Sequence, residues 1–485
     1  MIEFGTDGYR AIIAEDFTFA NVEAVTKAVY LYVKQTYGTE KPVIIGYDTR
    51  FLADKFAKRA ADVLNELGLN VKLADRDTPT PAIAFCAREF ETAGAMMFTA
   101  SHNPPEYCGI KYIPDYAGPA DKEITDLIEE WSNGIVVGKI SIEAPIDKGI
   151  TEMFSPKEAY FNQLKSLIDF EKIKTLDKNI IFDALYGTAR GYFDEILAEF
   201  GVETHKIHDY RDVLFGGGMP EPKEKYLKEL KALVLETPNS IGFSNDGDAD
   251  RFAVVDENGN FISPNYIIPL LFKHLKINKG MSGALVKTVG GSLLLEKAGQ
   301  KFGATEVIET AVGFKWVGKA MRENKVIIGG EESGGLSIGT HIPEKDGILA
   351  NLLILEMLAY EKKSLSTLVD SLFEEIGIKY INHRIDLKLT NEQKQQVMAT
   401  FNQNPPSELG GMKIVKTLKL DGIKFYFEDN NSSILIRPSG TEPLLRVYFE
   451  TDSDKKLENL IFDVEKFVKS WHTAFSKYYE MMYYV

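Results

Sequence analysis

Four short runs gather the residue types that do phosphate and metal chemistry. The first is Thr99-Ala100-Ser101-His102-Asn103-Pro104-Pro105, with Lys111 ten residues beyond Ser101. Two consecutive prolines forbid helix there and hold a rigid loop, which leaves a serine hydroxyl beside an imidazole. On its own such a pair would read as a turn with an incidental serine. The second run is Asp246-Gly247-Asp248-Ala249-Asp250-Arg251. Carboxylates at i, i+2 and i+4 in a glycine-containing loop can converge on one hard cation, and magnesium takes oxygen ligands and commonly keeps a phosphate in its shell. Glu257 falls where an EF-hand would have its twelfth ligand, but the sixth position is Arg251 rather than glycine and Phe252–Val255 reads as strand, so that reading fails. The third run, Gly330-Glu331-Glu332-Ser333-Gly334-Gly335, offers carboxylates and a hydroxyl suited to sugar hydroxyls, with His341, Lys345 and Asp346 downstream. The fourth, Arg437-Pro438-Ser439-Gly440-Thr441-Glu442-Pro443, pairs a guanidinium that can fork onto phosphate with hydroxyl and backbone donors. A decoy overlaps the third run: Gly335-Leu336-Ser337-Ile338-Gly339 matches the nucleophile-elbow pattern, but no helix pattern follows the serine, so a serine hydrolase is not expected.

The elements that must position these loops alternate in period. Residues 42–47, 70–74 and 93–98 read as strands, with helix-period residues 54–67 between the first two. A second round has helices near 156–168 and 188–200 and strands at 179–184, 241–243 and 252–255. A third has a helix at 265–275, strands at 284–288, 305–308 and 325–329, and a helix from Asp346 to about Tyr360. That rhythm predicts βαβ units and mainly parallel sheets. From Gly377 the texture changes: strands at 380–386 and 423–427 and helices near 390–401 and from about 454 suggest a smaller α+β unit. Turn formers cluster at residues 149–156 and 256–264. The expected division is therefore 1–150, 151–260, 261–376 and 377–485. The fold class is α/β, three related α/β domains plus a smaller C-terminal α+β domain.

Composition bounds the answer. The 485 residues suit three to four domains, and 44% hydrophobic with 26% charged residues excludes general disorder. Fifty-six basic against 71 acidic residues give a net charge of −15, which argues against a general nucleic-acid or anionic-membrane binder. The two cysteines, Cys86 and Cys108, cannot build a disulfide framework and suit a reducing compartment. The N-terminus lacks a basic-then-apolar leader pattern, and the apolar stretch 348–360 is too short to span a bilayer. A cytoplasmic protein is expected. The tail carries Tyr478, Tyr479, Tyr483 and Tyr484, read either as a terminal helix packed on its own domain or as a subunit interface; a monomer or a homodimer is expected.

Together the four runs, in this order and at this spacing, resemble the α-D-phosphohexomutase superfamily of phosphoglucomutases and phosphomannomutases, over nearly the whole chain from Gly5-Thr6-Asp7-Gly8-Tyr9-Arg10 onward. The resemblance implies four domains around a central cleft and a cycle in which a phosphoserine gives its phosphoryl group to a hexose monophosphate, the bisphosphate turns end for end, and its other phosphate returns to the serine. It implies Ser101 as the phosphoserine and Mg²⁺ held by Asp246, Asp248, Asp250 and an oxygen on Ser101. Arg10, His102, Lys111 and Arg251 would surround the transferring group, with Lys111 or His102 as general base. Glu331 and Ser333 would contact sugar hydroxyls; Lys287, Gly313, Lys315, His341 and Lys345 would join the substrate site; Arg437, Ser439, Gly440 and Thr441 would hold the non-reacting phosphate.

Glu332, where mannose-type members often have methionine and glucosamine-type members glutamine, and the run Thr310-Ala311-Val312-Gly313-Phe314-Lys315-Trp316 are similar to the glucose-type versions. The resemblance thus favours glucose 1-phosphate and glucose 6-phosphate, with glucose 1,6-bisphosphate as intermediate and activator, and leaves mannose or dual specificity as the alternative. Ala249 and Cys108 depart from the usual glycine and asparagine. Rival classes are a metal-dependent sugar phosphatase and a non-catalytic sugar-phosphate-binding protein; the latter would be expected to lose Ser101 or an aspartate, and none is lost.

Overall fold

The computed structural model describes residues 1–5, 7–438 and 444–466. Ser439, Gly440 and Thr441 of the fourth loop and the tyrosine-rich tail lie outside the described residues.

Among the described residues, four sheets carry the chain. The first has seven strands in the spatial order Phe4–Gly5, Gly8–Ile12, Tyr107–Ile113, Ala95–Phe98, Val43–Tyr47, Val71–Ala74, Thr151–Phe154. The last four run parallel and the others pair antiparallel. The second orders Phe261–Ile262, Phe252–Val255, Ser240–Asn245, Asn179–Asp183 and Thr204–Ile207. The third orders Val307–Thr310, Ala284–Thr288, Val326–Gly330 and Leu336–Ile338. The parallel strands are near-continuous apolar runs, as strands covered on both faces must be: residues 43–45, 95–98 and 326–328 are all buried.

One device recurs in all three sheets. A parallel strand ends, a polar loop follows, and the chain returns as an antiparallel neighbour: Ala95–Phe98 to Tyr107–Ile113, Ser240–Asn245 to Phe252–Val255, and Val326–Gly330 to Leu336–Ile338. Each of the first three sequence runs is that loop, at the carboxyl end of its strand, where open α/β sheets hold ligands. The fourth sheet is antiparallel throughout its six strands, Ile381–Lys388, Leu444–Thr451, Ser433–Pro438, Ile423–Phe427, Met412–Leu418 and Glu408–Leu409, with the helix Asn391–Gln403 packed on it.

Two expected junctions fall elsewhere. Thr151–Phe154 pairs in parallel with Val71–Ala74, so a division at 150 cuts the first sheet; the turn formers there lead into an edge strand, tied by the Val71 N–H to the Ile150 carbonyl (2.9 Å). Likewise Phe261–Ile262 closes a hairpin with Val254 and Val255 of the second sheet, so the chain crosses to the third unit just after it.

The apolar helix Gly347–Glu361 is buried from Gly347 to Ala359 and sits in the core shared by the second and third sheets. At 15 residues it is roughly 22 Å long, and among the described residues no helix is long and apolar enough to cross a membrane. Asp346 caps its N-terminus through the Leu349 N–H (2.9 Å), and the Gly347 N–H reaches the Ala249 carbonyl (3.1 Å), so this helix anchors the acidic loop of the second sheet.

Candidate active site

Ser101 is 2% exposed and sits at φ 52°. Ser101 Oγ donates to Asp246 Oδ2 (3.0 Å) and lies 3.2 Å from His102 Nδ1. The two loops touch closely: a Cβ on Gly247 would stand 2.8 Å from the Ser101 carbonyl oxygen. Ala249, where the resemblance has glycine, is at φ 59°, a conformation that costs a non-glycine residue about 1–2 kcal/mol.

The three aspartates are buried, and one carboxylate oxygen from each falls within 4.8 Å of the others. Thr80 Oγ1 and Lys111 Nζ donate to Asp248 Oδ2 (2.7 and 3.0 Å); Lys111 Nζ and Lys345 Nζ approach Asp250 Oδ2 (3.1 and 3.2 Å). The other oxygens, Asp248 Oδ1 and Asp250 Oδ1, are buried without a hydrogen-bond partner. Buried carboxylate oxygens left bare are costly unless a ligand completes them. Burial, then Asp250 and Asp248, push Asp246 well above the usual carboxylate range. A hard dication would relieve both features, so the donor set fits one.

Cations ring the cluster. Lys111, buried, also meets Asp7 Oδ2 (2.9 Å); burial opposes its charge, but Asp248, Asp7 and Asp250 outweigh that and hold it protonated, well above the ordinary lysine range. Lys345 is raised in the same way against burial, by Asp250, Glu344 and Asp7. Asp7, resisting burial through Lys111, Lys345 and Arg10, is lowered to about 2. His102 behaves oppositely: burial, then Arg251 and Arg10, hold it well below the ordinary imidazole range, hence neutral. Arg10 Nη1 donates to Asn103 Oδ1 (2.8 Å), and the Arg251 N–H to Asp246 Oδ1 (3.0 Å).

The third loop faces the same space. Arg251 bridges to Gly335, and Glu331 accepts the Gly313 N–H at Oε1 (3.0 Å). Burial, then Glu332, raise the Glu331 carboxyl to about 7. Ser333 is exposed, and Lys315 stands in the first turn of Phe314–Glu323 with Nζ 5.4 Å from the Trp316 ring. Arg437 Nε donates to Asp421 Oδ2 (2.7 Å).

Two residues assigned to the substrate are turned elsewhere. His341 is buried, bonded to Asp346 Oδ2 (2.9 Å) and stacked on Phe85, because Asp346 also caps a helix and takes the Tyr160 hydroxyl. Lys287 is fully buried, its ammonium held by Glu296 (2.9 Å) and Glu309 (3.0 Å). The elbow-like Ser337 lies inside a strand with Oγ donating to the Ile342 carbonyl (2.6 Å), so no exposed nucleophile exists there.

Sequence reasoning passed over Thr80, Asp48 and Arg50. Asp48-Thr49-Arg50 does follow the apolar strand Val43–Tyr47 directly, a strand-end polar run of the same kind as the others. Asp7 lies in the run 5–10, where neither its type nor its spacing marks it as a partner of Lys111.

A serine hydroxyl against a buried aspartate triad, lysines and arginines around it and a sugar-suited carboxylate loop opposite, on three sheets of like design and a fourth antiparallel one, define a phosphohexomutase. The chain belongs to the phosphoglucomutase/phosphomannomutase family: models of that family's α/β/α domains I, II and III match residues 1–135, 158–259 and 263–376, and its C-terminal domain matches 385–466. It is 31% identical to a phosphoglucomutase/phosphomannomutase of Thermococcus kodakarensis, covering 93% of this chain and 95% of that one. It is equally 31% identical to a phosphoglucosamine mutase of Prochlorococcus marinus (95% and 96% covered). A crystal structure from Thermus thermophilus, provisionally named a phosphomannomutase, superposes with a TM-score of 0.83 at 32% identity, over 96% of this chain and 99% of that one.

Proposed function

We propose that this phosphohexomutase interconverts glucose 1-phosphate and glucose 6-phosphate through a phosphorylated Ser101 and glucose 1,6-bisphosphate. The observation that carries the reading is the placement of Ser101 Oγ 3.0 Å from Asp246 in a triad that keeps two buried carboxylate oxygens free. Asp246, Asp248 and Asp250, with an oxygen on Ser101, would hold Mg²⁺; when bound, it neutralises charge on the phosphoryl oxygens as transfer proceeds.

The chain's own residues do the rest. The free sugar hydroxyl attacks the phosphorus on Ser101, the new O–P bond forms, and the serine O–P bond breaks in line with it. Neutral His102 can take the hydroxyl's proton and return it to Ser101 Oγ, 3.2 Å away, as the serine oxygen leaves, whereas Lys111, held protonated, is a cation beside the phosphoryl oxygens; of the two candidates for general base the geometry favours His102. Glu331 and Ser333 orient sugar hydroxyls. The loop 437–443 grips the distal phosphate in either orientation, so the bisphosphate can return its other phosphate to Ser101.

Glucose is favoured by Glu332, which accepts Thr288 Oγ1 at 2.7 Å and so holds a carboxylate beside Glu331 where other sugar types carry methionine or glutamine. The phosphomannomutase name of the Thermus relative keeps mannose or dual specificity as the second reading, and the Prochlorococcus relative makes glucosamine 1-phosphate a necessary competitor. Comparing kcat/KM for the three sugar 1-phosphates, with Mg²⁺ and a trace of bisphosphate, tests it. A preference for glucose of at least about tenfold, roughly 1.4 kcal/mol in transition-state binding, is expected. Near-equal values, or a preference for another sugar, would reject the glucose assignment.

A further inference from the structure

Beneath the Ser101 loop lies Arg50, a residue 0% exposed whose guanidinium has an acceptor for every N–H. Nε donates to Asp48 Oδ2 (3.2 Å). Nη1 donates to the carbonyls of Pro104 (2.7 Å) and Tyr107 (2.9 Å), and Nη2 to those of Ser101 (2.7 Å) and Asn103 (2.6 Å). An arginine has five such donors in a fixed planar fork. Four of them end on backbone carbonyls of residues 101–107, three in the loop and one at the first residue of the returning strand, and the fifth on an aspartate at the end of the neighbouring strand. The clamp is closed from the second sheet's side: the Phe215 ring covers the guanidinium at 5.1 Å, and Arg211 Nη2 donates to the Arg50 carbonyl (3.1 Å).

Other groups already shape that loop. Pro104 and Pro105 already stiffen it, and the Asn103 N–H closes a turn on the Ala100 carbonyl (3.0 Å). Ser101 is the second residue of that turn, in the left-handed region at φ 52°, and Thr99 Oγ1 holds its N–H (2.8 Å); the orientation of its carbonyl, on the turn's central peptide, is what neither bond fixes. Were that peptide free to flip, the backbone that presents Oγ to Asp246 would keep only its N–H anchor.

We propose that Arg50 is the positioning residue of Ser101: its guanidinium pins the Ser101 carbonyl and so aims the hydroxyl at the acidic triad. This rests on the reading of Ser101 as phosphoryl carrier.

Arg50→Ala and Arg50→Lys, with wild type beside them, are tested for folding by circular dichroism, for kcat and KM separately, and for labelling of Ser101 by hexose 1,6-bisphosphate. The expected result is folded variants whose kcat and labelling rate fall about 100-fold, as misplacement by an ångström can cause. KM should stay within about threefold, since substrate contacts come from other loops. Added guanidinium should restore Arg50→Ala, while lysine, a point charge without the fork, should not substitute. Normal labelling and kcat in either folded variant would overturn the proposal. So would a loss confined to KM, or failure of both variants to fold, which would make Arg50 a residue of the domain rather than of the serine. Wild type that does not label would instead reject the phosphoserine reading itself.

Discussion

Ser101 Oγ donates to Asp246 Oδ2 across 3.0 Å although 145 residues separate them in the chain and each belongs to a different sheet. The contact exists because two sheets of the same design present their strand-end loops to each other, and because glycine at 247 lets the backbones meet. Gathering three buried carboxylates is unfavourable unless cations join them; Lys111 and Lys345 meet Asp248 and Asp250 on one side, and the oxygens left bare are where a dication would complete the set.

Asp248, whose Oδ1 is buried and bare, is expected to be a ligand of that cation. Asp248→Asn should raise the half-saturating Mg²⁺ concentration by at least about tenfold and lower kcat with it. Magnesium titration of activity, backed by calorimetric Mg²⁺ binding without substrate, checks this; an unchanged titration would remove Asp248 from the ligand set.

Glu331 makes a pH prediction. Its carboxyl is raised to about 7 by burial and by Glu332. A protonated carboxyl accepts sugar hydroxyls poorly, so kcat/KM should climb as pH rises through about 7, where the group ionises. Glu331→Gln should flatten that limb and leave a lower plateau. A wild-type profile with no ionisation between about pH 6 and 8, or one that the variant shares, would show that another group governs it.

Glu309 joins the third and fourth units. Lys424 Nζ (2.9 Å) and Tyr426 OH (2.7 Å) reach it from the fourth sheet, and Lys287 (3.0 Å) from its own. Burial opposes its charge, yet Lys287 and Lys424 lower it from 4.5 to about 2. A depressed carboxyl contributes stability that is complete above its unfolded value and is lost as pH falls, so the loss should run from about 4.5 down to about 2. Glu309→Gln should cost about 2 kcal/mol at neutral pH, and the difference from wild type should shrink across that acid window. Thermal unfolding at stepped pH measures it; a constant difference would rule out this linkage.

Packing is tested at Leu353, fully buried in the shared central helix. Leu353→Ala should destabilise by about 2–5 kcal/mol with kcat/KM of the surviving folded enzyme little changed. Chemical denaturation supplies the first quantity and assay at low temperature the second. A cost under about 1 kcal/mol would mean the helix is not the core it is taken for.

Much of this is legible in the chain, and the exceptions have physical reasons. The loops at 101, 246 and 331 announce themselves because strand-end loops are local in sequence: a short apolar run, then Gly, Pro and polar residues. The strand Tyr107–Ile113 gives no clear signal, since Gly109 and Lys111 break the apolar pattern, yet it carries Lys111 into the acidic cluster. Polar residues defeat the sequence reading where tertiary contacts turn them inward: His341 toward Asp346, and Lys287 toward Glu296 and Glu309. Arg50 is invisible for the same reason in reverse, because four carbonyls from residues 101–107 give it meaning and no spacing advertises them.

The central claim is that Ser101 carries the phosphoryl group, and phosphate labelling tests it directly. Wild-type protein is incubated with hexose 1,6-bisphosphate labelled in both phosphates and Mg²⁺, then analysed by intact mass and peptide mapping, with Ser101→Ala alongside. The account predicts one phosphoryl group on Ser101, chased into bisphosphate by unlabelled glucose 1-phosphate, and a folded variant that takes no label and turns over at least about a thousandfold more slowly, roughly 4 kcal/mol in barrier. Label on another residue, release of inorganic phosphate in place of transfer, or near-normal turnover by Ser101→Ala would contradict it.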